Sequence, residues 1–190
     1  AEGAKRILHE IAEGTELGRA IGDGALAIGR KRKHHRVATV KGQALPAWDP
    51  RPLKAAGVTY CTSAMGADHT AGLVIEPGQP YEEAVRASQD SQILNAVIDS
   101  SGFCQFLMTN LDEVREFYGL FYGEEVTREQ IADLGWQCLE DEWEFNRRAD
   151  AAGRPGPFIP EGTLPPTDPE FAPAFVREHR LKTLQDEAGR

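Results

Sequence analysis

Cysteine is scarce in this 190-residue chain: only Cys61, Cys104 and Cys138, spaced 43 and 34 residues apart with no CxxC pair. An odd number at long spacing is not a secreted disulfide framework, and four thiolates for an iron–sulfur cluster cannot come from one copy. No apolar run approaches the ~20 residues that a membrane-spanning helix needs. The opening Lys5-Arg6 is followed by a mixed, charged segment rather than the apolar core of a signal peptide. Basic residues are outnumbered, 21 Lys and Arg against 30 Asp and Glu, which gives a net charge of −9 and argues against a nucleic-acid partner. GxGxxG, Walker A, HExxH and nucleophile-elbow patterns are absent, so nothing supports NAD, ATP, zincin or acyl-transfer chemistry. What remains is a cytoplasmic, mainly α-helical protein long enough to bury a core. The chain opens Ala1-Glu2-Gly3, with no initiator Met, and reads as processed or as a piece of something longer.

Helical patterning runs through most of the chain. Ile7, Leu8 and Ile11 share one face of a helix over 4–13 that Gly14 stops, and Thr15 caps a second one. Gly18, Gly22, Gly24 and Gly29 make 14–30 weakly helical, and the basic run 30–36 suits a solvated helix C-terminus. Residues 37–42 predict a short strand, and 43–57, punctuated by Pro46, Pro50, Pro52 and Gly57, an extended loop. A helix is expected over 80–98, with Pro80 in its first turn and Val85, Leu94, Val97 and Ile98 in its stripe, and another over 112–122 carrying Val114, Phe117, Tyr118 and Phe121. Thr127-Arg128-Glu129-Gln130 is a capping box that starts a further helix, expected to bury Ile131, Leu134, Cys138 and Phe145. Seven of the twelve prolines fall between 155 and 173, which predicts a wrapping tail, with a short polar helix over 174–187. The divisions expected are a helical lead-in over 1–36, a helical domain with site-forming loops over 37–150, and the Pro-rich tail over 151–190.

Two segments have the composition of a site. In 60–72, small residues and two glycines permit close backbone approach, while Asp68 and His69 set a charge beside an imidazole. The same residues also suit a helix N-terminus packed under a loop, with His69 simply hydrogen-bonded. In 98–104, Asp99, Gly102 and Cys104 lie within six residues directly after a helix. An ionised carboxylate accepts two parallel N–H bonds from a planar donor edge such as that of a pterin. A thiolate is a soft ligand for iron–sulfur clusters. A glycine-terminated helix followed by a buried cysteine would look alike. Cys61 and Cys138 read as structural.

The run Val40-Lys41-Gly42-Gln43-Ala44-Leu45-Pro46-Ala47-Trp48-Asp49-Pro50-Arg51 resembles a block of the aldehyde ferredoxin oxidoreductase family, VKG-x-E-x-PA-(Y/W)-DPR. It continues through Gly57-Val58-Thr59-Tyr60-Cys61-Thr62-Ser63 to Gly66-Ala67-Asp68-His69, and Asp99-Ser100-Ser101-Gly102-Phe103-Cys104 resembles the family's D-x-x-G-(L/F)-C motif. The resemblance is strongest over 37–110 and weakest in the Pro-rich tail. It implies a multihelical C-terminal portion of a tungsten enzyme with a bis-pterin cofactor, tungstopterin (molybdenum being the alternative metal), and one [4Fe-4S] cluster. It also implies oxidation of aldehydes by water to carboxylates, with two electrons passed to ferredoxin. Carried over by motif, Asp99 accepts hydrogen bonds from a pterin, Cys104 is the fourth cluster ligand, and His69 sits in the substrate pocket as a proton-transfer or orienting group. Asp68, Gly66, Gly102 and Gln105 follow as further cofactor contacts. The family's N-terminal β-rich domain, its CxxCxxxC run and its second D-x-x-G-L motif have no counterpart here, so both cofactors would be shared with N-terminal domains, and the chain alone would be inactive. Ala44 stands where Glu is common and Pro52 where Gly is, which leaves the substrate subfamily open. An acyl-CoA thioester reductase on the same scaffold, or a helical interaction module without chemistry, are the alternatives. A homo-oligomer is compatible with either.

Overall fold

The computed structural model describes residues 1–32, 39–41 and 43–151. All but the first residue of the expected tail 151–190, most of the basic run, and the outer residues of the predicted strand 37–42 lie outside the described residues. Within them the chain is mainly α-helical, with seven α-helices and one two-stranded hairpin. Helix α1 (Glu2–Glu13) ends where Gly14 takes the left-handed conformation, φ 63°, which costs glycine nothing. Helix α2 (Glu16–Gly22) begins where Thr15 Oγ1 accepts the Gly18 amide at 3.1 Å. The two helices pack so closely that a Cβ on Gly18 would lie 1.8 Å from the Glu10 carbonyl oxygen. Helix α3 (Ala25–Arg32) follows. No residue of α1 is buried, and Ile7, Leu8 and Ile11 remain exposed.

Strands β1 (Thr39–Val40) and β2 (Gln43–Ala44) pair antiparallel, Thr39 opposite Ala44 and Val40 opposite Gln43. The loop expected over 43–57 therefore begins as a strand, and it ends early, because helix α4 (Lys54–Thr62) takes in Gly57. The prolines end at position 52, ahead of the first turn, and Ala55 and Ala56 favour helix enough to carry one glycine. Between strand and helix, Asp49 accepts the Arg51 amide at 2.9 Å and is gripped by the Arg51 guanidinium, which holds its carboxyl below the usual range. Tyr60 Oη donates to the Trp48 carbonyl at 3.0 Å. This corner closes the first core, in which Val40, Leu53, Ala56, Tyr60 and Ala67 are buried and Leu45, Trp48 and Leu73 pack against them.

Helix α5 (Tyr81–Ser101) is the central element, packed against α4 on one side and α7 (Arg128–Ala151) on another. Facing two partners, it buries Ala84, Ser88 and Gln92 as well as Val97 and Ile98, while Val85 and Leu94 of the predicted stripe are only half-buried. The buried polar side chains satisfy one another across the α4 interface: Thr59 Oγ1 and Ser88 Oγ lie 2.7 Å apart, and Gln92 Nε2 donates to Ser88 Oγ at 3.1 Å and Thr62 Oγ1 at 3.0 Å. On the other side Gly135 lets α7 approach closely, for a Cβ there would lie 2.5 Å from the Ile93 carbonyl oxygen. Helix α6 (Leu111–Tyr122) opens with a full capping box between Asn110 and Glu113. It joins Val97, Val114 and Ile131 in a further core with Phe103, Leu111, Tyr118 and Val126.

The expected stripe of α7 is realised only in part. Ile131 is buried and Cys138 partly so, its Sγ 3.1 Å from Ser100 Oγ, whereas Leu134 and Phe145 are exposed. Ile131 packs into the core with Val97 of α5 and Val114 of α6, whereas the shared period does not bring Leu134 or Phe145 under a neighbour. Phe117 and Phe121 on α6 are likewise exposed, stacked on each other at 6.0 Å. No helix among the described residues is long and apolar enough to cross a membrane.

Candidate functional site

The two site-like segments are the loop that leaves α4 and the turn that ends α5. Residues 60–62 close α4 rather than open a helix, so the alternative reading of this segment as a helix N-terminus gives way to a C-terminus followed by a loop. Ser63 Oγ donates to the Gly66 carbonyl at 2.9 Å and accepts the Gly66 amide at 3.3 Å. Gly66 is buried at φ 98°, and a Cβ there would lie 2.6 Å from the Val40 carbonyl oxygen and 2.7 Å from Lys41 Cβ. Only glycine satisfies both the backbone angle and the space. Asp68 then folds the chain back, its carboxylate accepting the Thr70 amide at 2.9 Å and the Thr70 hydroxyl at 2.8 Å. His69 stands exposed on this turn.

Asp99 lies inside the last turn of α5, which runs on to Ser101, rather than directly after a helix ending at 98. Gly102 ends the helix at φ 73° with open space around it, its amide on the Asp99 carbonyl at 3.2 Å and the Phe103 amide on the Ile98 carbonyl at 3.1 Å. That reversal throws Cys104 outward at the head of a 3₁₀ turn, Gln105–Leu107. Cys104 is exposed, unlike the buried Cys61. Its neighbours Phe106, Leu107 and Met108 are exposed as well, Phe106 at 94%.

Gln105 joins the two segments. Its Nε2 donates to the Thr70 carbonyl at 2.9 Å and also bonds Asn95 Oδ1 on α5. The arrangement brings Asp68 close enough to Asp99 to interact electrostatically: desolvation first, and then the Asp68 charge, push the Asp99 carboxyl above its usual range. Glu142 on α7 joins them, raised by desolvation and next by the charge of Asp99. Sequence reasoning missed Glu142, which sits in an acidic stretch of a long helix with nothing to set it apart. Asn95 and Lys41 likewise carry no sequence signal of a place near the site. Among the described residues no group of three or more His, Cys, Asp or Glu is placed to hold a metal ion.

The chemistry of these donors fits a ligand that supplies hydrogen-bond donors. The Asp68 charge acts on Asp99 as well as burial does, and no hydrogen bond to the Asp99 side chain is formed among the described residues. A planar N–H edge would offset that repulsion. An exposed thiol five residues away offers one soft ligand, and the chain's other two cysteines are committed elsewhere, Cys61 to a core and Cys138 to Ser100.

Comparison with known proteins follows the same lines. The sequence pattern of "Aldehyde ferredoxin oxidoreductase, domains 2 & 3" matches residues 1–155. The chain is similar to the tungsten-containing aldehyde ferredoxin oxidoreductase of Pyrococcus furiosus, at 28% identity over 96% of this chain and 33% of that protein. It is also similar to the protein of the same name from Thermococcus kodakarensis, at 27% identity over 88% of this chain and 31% of the relative. A third, from Pyrococcus abyssi, is 28% identical over 75% of the chain and 26% of the relative. The chain thus spans about a third of the length of the curated relatives it matches. No solved structure gives a significant match. The D-x-x-G-F-C turn and these matches agree: the chain belongs to the aldehyde ferredoxin oxidoreductase family, its residues 1–155 matching the pattern described for domains 2 and 3.

Proposed function

We propose that the chain forms the cofactor-contacting part of a tungsten-dependent oxidoreductase that converts aldehydes to carboxylates and delivers electrons through a [4Fe-4S] cluster to ferredoxin. The observation that carries this reading is the turn Asp99–Cys104, which presents an acceptor-only carboxylate and an exposed thiol on one end of α5. Asp99, with Asp68 beside it, would hold the donor edge of a pterin, and Gly102 would allow the cofactor to come close. Gly66 and Gln105 would act from behind: Gly66 is buried beneath β1, and Gln105 ties the His69 loop to α5. Cys104 would supply the single cluster ligand available from this part of the enzyme. Contacts five positions apart in the chain would keep the electron path short.

When bound, the tungsten pterin supplies the two-electron redox chemistry. The protein's share is to place the aldehyde and handle protons, and His69, exposed on the loop next to Asp68, is the group for that. General acid–base help of this kind is worth about 10²–10⁴ in rate. Because one cluster ligand and half of a pterin cradle do not make an active site, the chain by itself is expected to be inactive. The test is aldehyde oxidation by the full-length enzyme, with tungsten measured on the same samples. His69→Ala is expected to keep its tungsten and lose kcat by about 10²-fold or more. Turnover equal to the parent's would remove His69 from the chemistry.

A further inference from the structure

Lys41 is the most deeply buried cation among the described residues, 2% exposed, in the turn between β1 and β2 at φ 50°. Both features are unfavourable taken alone, since an ammonium loses its hydration on burial and a side chain at positive φ is strained. The surroundings compensate. Lys41 Nζ donates to the Ser63 carbonyl at 2.5 Å and lies 5.0 Å from the centre of the Trp143 ring. The next carbonyl, that of Ala64, accepts from Asn146 Nδ2 at 3.3 Å, and the Ala67 amide reaches the Val40 carbonyl at 3.4 Å. The loop between α4 and His69 is therefore gripped from the hairpin and from α7, with Lys41 between them. Lys41 Cβ also forms part of the wall that admits only glycine at position 66.

We infer that Lys41 is a positioning residue: its buried ammonium, held between the Ser63 carbonyl and the Trp143 ring, fixes the loop that carries Gly66, Asp68 and His69. The inference rests on the proposed role of His69 and adds what sets its place. A shift of about 1 Å in a reacting group can cost as much as ~10²-fold in rate.

The test compares Lys41→Met, Lys41→Arg and His69→Ala in the full-length holoenzyme, with tungsten content and the cluster spectrum as controls. Lys41→Met is expected to lower kcat about 10- to 100-fold with little change in KM, and to speed hydrogen exchange of the amides of 64–68. Lys41→Arg, which keeps the charge and the ring contact, is expected to recover part of both losses. The discriminating result is the double variant: with His69→Ala already present, Lys41→Met is expected to cost little more, because the two residues act on one function. Should Lys41→Met not fold, Trp143→Leu and Asn146→Ala loosen the same segment and are expected to speed its exchange. Unchanged exchange over 64–68, unchanged kcat, or a full additional loss in the double variant each overturns the proposal. A His69→Ala enzyme with parental turnover overturns instead the reading beneath it, and the exchange measurement then still reports on Lys41 alone.

Discussion

Asp99 is held in its folded surroundings against its own charge. Desolvation and the neighbouring Asp68 raise its carboxyl, so the folded state binds a proton more tightly than the unfolded chain does. The sign follows: stability is lost as pH rises from the ordinary Asp range through the raised value, and is regained on acidification. Asp99→Asn of the cofactor-free protein is therefore expected to unfold at higher urea at neutral pH. The gain should vanish near about pH 3, where Asp99 is protonated in both states. A gain that persists at low pH would trace to something other than this charge. Tyr60 behaves differently: desolvation, then the charges of Asp68 and Asp49, push its phenol up to about 12, so it stays a hydrogen-bond donor to Trp48 across the neutral range. Tyr60→Phe is expected to cost about 0.5–1.5 kcal/mol in urea unfolding, with the same cost from pH 6 to pH 9.

At the scale of elements, the α5–α7 contact decides where the acidic groups and the cysteine turn meet, and Gly135 permits it. Gly135→Ala gains about 1 kcal/mol of helix propensity but sets a methyl 2.5 Å from the Ile93 carbonyl oxygen. Overpacking of that kind costs about 1–3 kcal/mol, so net destabilisation is expected, with weaker coupling between Glu142 and Asp99. Ile131→Ala in the core below is expected to cost about 2–5 kcal/mol by the same urea measurement. Helix starts were legible where the cap was read from the sequence: Thr15 and Thr127 to Gln130 each close the hydrogen bonds that their spacing promises, whereas the capping box of Asn110 and Glu113 emerged only with the fold. Helix faces were less so. Leu134, Phe145, Phe117 and Phe121 have the right period, yet period tells only which side chains share a face, not whether a neighbour covers that face. The α4 boundary was hidden for a related reason, since prolines mark where a helix cannot continue but leave open where the next one begins.

At the scale of the whole molecule, the described residues include many exposed apolar side chains. Helix α1 buries nothing, Phe106 to Met108 flank Cys104 in the open, and α6 presents a row of stacked aromatics. Single exposed apolar residues are ordinary, but contiguous ones mark surfaces made to be covered. That pattern suits a chain spanning about a third of the proteins it resembles. Of the candidate site, the motif residues were legible because carboxylate, glycine and thiol sit within six positions of one another. Glu142, Asn95 and Lys41 were not, because they arrive from other elements and only the fold brings them in.

The central claim is that the end of α5 supplies a cluster ligand, and the direct measurement is the electron paramagnetic resonance spectrum of the reduced full-length enzyme carrying Cys104→Ser. Loss of the [4Fe-4S] signal, or its conversion to another cluster type, in a protein that keeps its helical circular dichroism is the expected result. A folded Cys104→Ser enzyme whose cluster spectrum matches the parent's would contradict the account.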